Sequence, residues 1–412
     1  MTLKFNLRSR GLFISFLAFG MLTQVISILM KPKANISDAS SDFCNFYISK
    51  FNTFFIHINC DSQYFLLDSQ DPSRIINNQS PLQDRFLHTF LVFIFSRIFG
   101  LIGVPEGPVV YLGEDNIPQT YNILNYALYI SINVLTLLLS FWLISIALGL
   151  FKRKLDRVQT ILIFSTIVFT AQNPITREFF WTPHSQIFNI LIVCLLFFFA
   201  QEEFVVTKRN YFLVFTFLSV CLLIYPAFLI LLPILLVRVY RAIGAWHSVL
   251  LLFCLIPRTL YPVILEFFGG EYVEWTVKKH RRGIWLIDSA QAGTLLTDLR
   301  ENLNYLAQSL PFAWLLILCL LFLIYIKDSY KIGRLDSGKK QQVQDASLVC
   351  LLYLLGLFIN GAYSERFSIG LVILLILFVT KFTLQRPKPP VSTLVVFIFV
   401  VCLNMLLWLA NW

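Results

Sequence analysis

Long apolar stretches separated by short polar segments dominate the chain. A helix that crosses a bilayer needs about 20 apolar residues. Ten stretches approach this length: 11–30, 123–150, 158–175, 185–200, 211–238, 245–267, 309–326, 345–361, 367–383 and 391–410. The stretch 211–238 is too long for one straight helix and contains Pro226, which interrupts helical hydrogen bonding. Since it predicts two short helices, the pattern indicates about eleven transmembrane helices.

The amino-acid composition supports this class of protein. Of the 412 residues, 57% are hydrophobic, 14% are charged and 41 are phenylalanine, and the mean hydropathy is +0.72. A soluble globular domain is nearer to about half apolar and a quarter charged. The sequence therefore predicts an all-α, multi-pass integral membrane protein, and its expected location is a bacterial inner (plasma) membrane.

The net charge of +10 does not point to a nucleic-acid partner. The basic residues lie in short clusters between apolar stretches, as the positive-inside bias produces. The chain has no Gly-rich phosphate loop, no zinc-ligand spacing and no basic-aromatic RNA motif. Six of the eight cysteines lie in apolar stretches, whereas Cys44 and Cys60 lie in a polar region. These two can form a disulfide if that region is extracytoplasmic.

The position of residues 85–104 decides which loops face outside. This apolar segment carries Arg85 and His88 and ends in Gly- and Pro-rich sequence. If it crossed the membrane, an acidic loop would lie inside and the basic "KRKLDR" (152–157) outside, against the positive-inside rule. If it lies along the membrane surface, 31–122 forms one long external loop with surface-lying helices. This second arrangement is predicted, with the amino terminus cytoplasmic and the carboxyl terminus outside.

The first external loop is rich in acidic residues, and two of them are catalytic candidates. If 61–70 is helical, Asp61 and Asp68 fall on one face. Phe65 and Leu66 would then point towards lipid or neighbouring helices. The alternative is that Asp61 only caps the helix and Asp68 is a solvated surface residue.

A second external segment, "QNPITREFFWTPHSQIF" (172–188), contributes Arg177 and His184. Its aromatic residues are typical of a membrane interface. A histidine within a transmembrane helix usually has a functional role, because polar groups are energetically costly in the membrane. Both residues are substrate-binding candidates, and the alternative for His184 is a hydrogen bond between helices.

Two further external segments supply cationic side chains. The loop 269–308 carries a basic run on the side where the charge rule disfavours one, and the turn "NGAYSERFSIG" follows later. Arginine forks match phosphate oxygens, which favours a phosphate or pyrophosphate site. Binding of lipid headgroups, or an ion pair with Glu365 in the turn, would explain the same residues. The substrate-binding candidates in these segments are His280, Arg281, Arg282 and Arg366.

This layout resembles the membrane glycosyltransferases of the GT-C fold class. The matching features are an acid after the first span in "CDSQYF", a surface helix at 85–104, the proline-broken pair 211–238 and the "GAYSERF" turn before a late span. The resemblance implies a catalytic region over 1–385, followed by a basic linker and final helix at 386–412. The family often has two adjacent acids where this chain has Asp61 and Ser62. Its other candidate acids are Asp68, Asp84 and Asp115.

The resemblance implies transfer of a hexosyl or pentosyl group from a polyprenyl-phosphate-type lipid to a glycan, lipid or protein acceptor outside the membrane, with inversion at the sugar. Such a reaction needs a base near the acceptor hydroxyl and positive charge near the departing phosphate. Asp61, in a water-facing groove, is the expected base. A divalent metal is compatible with this chemistry, but no ligand spacing indicates one.

Two other classes of protein fit the sequence less well. A polysaccharide polymerase or O-antigen ligase also has many spans, and it would depend on the Arg- and His-rich loop 269–308 more than on Asp61. A transporter would place charges inside its spans near the midplane. The predicted spans are nearly free of acids apart from Glu266, which ranks transport third.

Overall fold

The computed structural model describes residues 7–30, 45–51, 54–77, 80, 83–104, 108–112, 118–151, 155–201, 204–270, 284–308, 337–359 and 364–385. These residues are predominantly helical. By length and composition, four helical segments among the described residues can cross a membrane: Ile123–Ala147, Pro226–Ile243, Ala245–Phe267 and Gln341–Phe358. Five shorter apolar helices accompany them. The prediction of a helical membrane protein is confirmed, whereas the count of eleven spans is not, and 309–326 and 391–410 lie outside the described residues.

The first part of the chain combines helices with two hairpins. Its elements are α1 (Leu7–Met30), β1 (Asn45–Phe51), β2 (Phe54–Asn59), α2 (Cys60–Gln70), α3 (Ser73–Ile76), a 3-10 turn (Gln83–Arg85), α4 (Phe86–Leu101), β3 (Pro108–Leu112) and β4 (Pro118–Asn122). Strands β1 and β2 pair antiparallel, as do β3 and β4. The all-α expectation misses these hairpins. Aromatic and β-branched residues, which suit a pleated surface, are frequent in the first pair, "NFYISKF" and "FFIHIN".

The rest of the described chain is helical. The helices are α5 (Ile123–Ala147), α6 (Arg157–Ala171), α7 (Pro174–Phe179), α8 (Phe188–Phe199), α9 (Lys208–Ile224), α10 (Leu232–Ile243), α11 (Ala245–Leu251), α12 (Ile256–Phe267), α13 (Ile284–Ala292), α14 (Leu295–Gln308), α15 (Ser337–Ile359) and α16 (Ser364–Leu384). Side-chain caps stabilise the first turns of several helices. Asn122 accepts a bond from the Leu124 amide at 2.8 Å, and Asp156 forms a capping box with Gln159.

The predicted break near Pro226 is confirmed. Helix α9 ends at Ile224, and Tyr225 has extended backbone angles of φ −155° and ψ 115°. A 3-10 turn, Pro226–Leu231, then leads into α10. The proline has no amide hydrogen to continue α9, so the chain restarts as a second helix.

Helices α8 and α16 form the centre of the bundle. Every side chain from Ser368 to Leu384 is buried, and α8 is buried at every position except Phe198. The two helices pack on each other, and α5 packs on α8. A helix that is apolar and buried all round belongs in the interior. The Asp68 region lies in the α2–α4 segment, which packs against α5.

Gly370 in α16 permits close approach to α15. A Cβ atom there would overlap the hydroxyl of Tyr353, which is buried, and would lie 3.1 Å from Val193 Cγ2. We expect Gly370→Ala to lower the free energy of unfolding by about 1–3 kcal/mol, because overpacking forces side chains out of place. Thermal unfolding in detergent measures this effect. The control is Gly11→Ala, where no atom lies within 4 Å, and equal melting temperatures for both variants would show that α15 and α16 can separate.

An ionic cluster joins the end of α10 to the first half of α15. Asp345 is buried, and its carboxylate accepts from Arg241 Nη1 at 2.6 Å and lies 3.5 Å from Arg238 Nη1. The expectation that the spans are nearly free of acids apart from Glu266 is wrong at Asp345. Helix α15 starts at Ser337, before the predicted span at 345, and this places the carboxylate inside the helix.

Candidate functional site

Helix α2 places Asp68 inside the protein. The predicted helix at 61–70 is confirmed, since α2 runs from Cys60 to Gln70. Phe65, Leu66 and Asp68 are each 0% exposed. The two apolar side chains, Phe65 and Leu66, therefore face neighbouring helices and not lipid. The alternative of a solvated Asp68 is excluded.

The Asp68 carboxylate has a polar partner on each oxygen. Oδ1 accepts from Arg74 Nε at 3.3 Å, and Oδ2 accepts from the Ser80 hydroxyl. Burial raises the pKa of Asp68 to about 6, while the Ser80 bond and the Arg74 charge oppose this shift. The carboxylate is therefore mostly ionised at neutral pH and is a much better proton acceptor than an ordinary aspartate.

Helix α5 holds α2 in place through two buried hydrogen bonds. Tyr129 Oη donates to the Phe65 carbonyl at 2.9 Å, and Asn125 Nδ2 donates to Ser69 Oγ at 2.9 Å. The Phe65 and Tyr129 rings also meet edge to face at 5.9 Å. These contacts fix α2, the helix that carries Asp68, to α5, the first of the long candidate spans.

His184 is brought next to this helix. Its ring lies 5.3 Å from the Phe65 ring and 4.7 Å from the Phe179 ring. Nδ1 accepts from the Gln186 amide at 3.0 Å, so the neutral ring carries its proton on Nε2. His184 thus caps the 3-10 turn Ser185–Ile187, which precedes α8, and its imidazole packs on α2 through the Phe65 ring.

Arg85 lies beside His184. Its Nη1 donates to Ser185 Oγ at 2.9 Å, and its guanidinium lies 5.4 Å from the centre of the Tyr225 ring. The Tyr225 hydroxyl also accepts from Asn189 Nδ2 at 3.4 Å. A half-buried cation therefore lies where the 3-10 turn before α4 meets the turn before α8 and the end of α9.

His88 lies one helical turn after Arg85 and is 1% exposed. Its ring contacts the rings of Phe65, Tyr129 and Phe188 at 5.6, 5.1 and 5.2 Å. Neither ring nitrogen has a hydrogen-bond partner among the described residues. Burial, followed by the nearby His184 and Arg85, lowers the pKa of His88 to about 3. Arg85 and His88 are absent from the predicted site, although the sequence shows a cation and a histidine in an apolar segment.

Other predicted site residues cannot be placed against this cluster. Asp61, Arg177 and Arg366 lie in α2, α7 and α16, and their side chains are outside the described part of the structure. The same holds for Asp84, in the 3-10 turn, and for the Cys44–Cys60 pairing. The predicted residues that lie wholly outside it are Cys44, His280, Arg281, Arg282 and Asp115.

The cluster comprises a buried carboxylate on α2, the Arg85 guanidinium before α4, and the imidazoles of His88 and His184, which both contact the Phe65 ring. Within the described residues, no group of three His, Cys, Asp or Glu side chains could hold a metal ion. Comparison with protein-family models, curated proteins and solved structures finds no match to this chain.

Proposed function

We propose that this chain is a membrane glycosyltransferase of the GT-C class, which moves a sugar from a polyprenyl-phosphate-type lipid to an acceptor outside the membrane. The observation that supports this function most strongly is Asp68, a buried carboxylate with a pKa raised to about 6 in the helix after the first hairpin. A general base works best when its pKa is close to the operating pH. Arg85, which donates to Ser185 beside His184, supplies the positive charge that a leaving phosphate requires, and the His184 imidazole packs on the same helix through Phe65.

In this mechanism Asp68 takes the proton of the acceptor hydroxyl as that oxygen attacks the sugar carbon. The bond between the sugar and the phosphate breaks, and the lipid phosphate leaves with the bonding electrons. Arg74 and Ser80 orient the carboxylate before the reaction. Asp61 remains the alternative base, and the run containing His280, Arg281 and Arg282 remains a proposed donor-binding segment together with Arg177 and Arg366.

The direct test is transfer of a radiolabelled sugar from synthetic lipid phosphates by the purified full-length protein. Candidate acceptors are a glycan, a lipid and a peptide, each offered separately. A labelled product that carries one added sugar per acceptor supports the proposal. Transfer of a preassembled oligosaccharide, or its extension into a polymer, would identify a ligase or polymerase instead.

The proposed topology has eleven spans, a cytoplasmic amino terminus and an external carboxyl terminus. Reporter fusions at Lys154 and Lys340 should both give a cytoplasmic signal, because basic loops remain inside. A fusion after Trp412 should give an external signal. An external signal at Lys154 or Lys340 would place α2 on the cytoplasmic side and contradict an external transfer site.

A further inference from the structure

Gln83 is a buried side chain that joins two segments of the candidate site. It is 2% exposed, and its Nε2 donates to the Ile75 carbonyl at 2.7 Å. Ile75 is the third residue of α3, a single turn of four residues. The last carbonyls of so short a helix have no intrahelical partner. Gln83 therefore completes the hydrogen bonding of α3 from a later part of the chain.

The two donors to the Asp68 carboxylate lie on the segments that this bond joins. Arg74 directly precedes Ile75, and its Nε donates to Oδ1 at 3.3 Å. Ser80 is buried, lies three residues before Gln83, and donates to Oδ2. The bond between Gln83 and the Ile75 carbonyl thus closes the stretch of chain that carries both donors and holds them at a set spacing around the carboxylate.

Gln83 also begins the 3-10 turn that carries Arg85. Arg85 lies two positions further along, and its Nη1 donates to Ser185 Oγ at 2.9 Å. One buried amide therefore links the backbone beside the Asp68 carboxylate to the backbone that bears the guanidinium.

We propose that Gln83 is a positioning residue for sugar transfer, which keeps the two donors on Asp68 and holds Arg85 at a set place relative to this base. A misplacement of about 1 Å caused by a change away from the reacting groups can lower a rate about 10²-fold. The effect on the rate rests on the proposed function, whereas the effect on the Asp68 carboxylate does not.

Gln83 acts on Asp68 through geometry, because its side chain is uncharged. The Ser80 bond and the Arg74 charge lower the pKa of Asp68, against the larger effect of burial, so a looser hold on either donor should raise this pKa. Gln83→Met keeps the length of the side chain, removes the donor and leaves every charge in place. The charges and titratable groups around Asp68 among the described side chains are those of Arg74, Asp71, Tyr129 on α5 and His88 on α4.

The first test is the pH dependence of stability, which requires no sugar transfer. Melting temperatures of the purified full-length protein are measured from about pH 4 to about pH 8 for wild type, Asp68→Asn, Gln83→Met and the double variant. The difference between the two proteins with and without Asp68 reports its titration in the folded state, centred at about 6 in wild type. We expect the midpoint of the Gln83→Met pair to lie about one pH unit higher, a tenfold higher proton affinity.

Gln201→Met is the matched control. Gln201 is also buried and also donates to a backbone carbonyl, that of Phe197 at 2.8 Å. It follows the end of α8 that lies away from the turn Ser185–Ile187. This variant should lower the melting temperature without moving the Asp68 midpoint. Gln83→Asn keeps the amide on a shorter side chain, so it should move the midpoint less and in the same direction, and it replaces Gln83→Met if that variant does not fold.

The second test is the rate of sugar transfer at a pH above both midpoints. Gln83→Met should lower kcat about 10- to 100-fold and change the donor KM much less. An Asp68 midpoint that is unchanged or lowered would overturn the inference and leave Gln83 a role in folding only. A raised midpoint with a kcat equal to that of wild type would overturn the part that concerns Arg85. A raised midpoint in a protein that transfers no sugar supports the hold on Asp68 and contradicts the proposed function.

Discussion

Replacing Asp68 by asparagine should lower the rate of sugar transfer by about 10²–10⁴-fold, the usual contribution of general base catalysis. Asparagine keeps the size of the side chain and an oxygen for the Ser80 hydroxyl, but it cannot accept a proton. It also loses the charge that faces Arg74 at 3.3 Å. The measurement is the initial rate of label transfer at saturating donor, together with the melting temperature of the variant.

The control is Asp71→Asn, three residues further along. Asp71 is exposed, and its Oδ1 accepts from the amide and the hydroxyl of Ser73 at 3.1 and 2.6 Å. Asparagine caps a turn almost as well as aspartate, so this variant should retain its activity. Asp61→Asn is made in parallel, and a loss confined to it would move the base to Asp61. Full activity in both the Asp61 and Asp68 variants would contradict a carboxylate mechanism in the first loop and favour a ligase or polymerase.

The same residue predicts how activity and stability change with pH. The pKa of folded Asp68 is about 6, compared with 3.8 for the reference carboxyl. The folded state therefore binds this proton more tightly than the unfolded state. Stability from this proton is fully present below 3.8 and is lost as the pH rises through about 6. The base must be ionised, so activity should fall as the pH drops below about 6, while stability from Asp68 increases over the same range.

The sequence predicts the local helix at Asp68 but not its environment. The spacing of Asp61 and Asp68, followed by Pro72, is enough to predict a short helix with one acidic face. Burial of Asp68 depends on the positions of Ser80 and of the adjacent Ser69, whose hydroxyl accepts from Asn125, 56 residues away. Periodicity carries no information about such partners, because they are set by tertiary packing.

The sequence does not predict Arg85 and His88 as site residues, for a different reason. The charges in 85–104 indicate a helix that does not cross the membrane. Arg85 and His88 serve only as evidence for this topology and not for a site. Only the fold brings them to Phe65 and to the turn that holds His184 and Ser185. The sequence does not predict the hairpins, because long apolar runs favour helices and obscure the period-two alternation of a strand.

The buried ionic cluster gives the largest expected effect on stability. Replacing Asp345 by asparagine should lower the free energy of unfolding by about 3–5 kcal/mol, because it leaves Arg238 buried without its counter-charge. Arg238 keeps its bonds to the carbonyls of Phe199 and Gln201. These carbonyls lie at the carboxyl end of α8, where helix dipoles favour a cation, but they do not carry a full negative charge. Unfolding in mixed detergent micelles measures the change.

Arg241 provides the matched comparison. It donates to the same carboxylate at 2.6 Å, but its side chain is 37% exposed and can turn to water when the bond is lost. Arg241→Met should therefore cost much less than Asp345→Asn. The double change Arg238→Met with Asp345→Leu removes both buried charges, and it should recover most of the stability lost in Asp345→Asn, because apolar replacement of a buried ion pair is often neutral. If the loss of unfolding free energy in the double variant equals the sum of the losses in Arg238→Met and Asp345→Leu, the two charges contribute independently. The ion pair between α10 and α15 then does not stabilise the bundle.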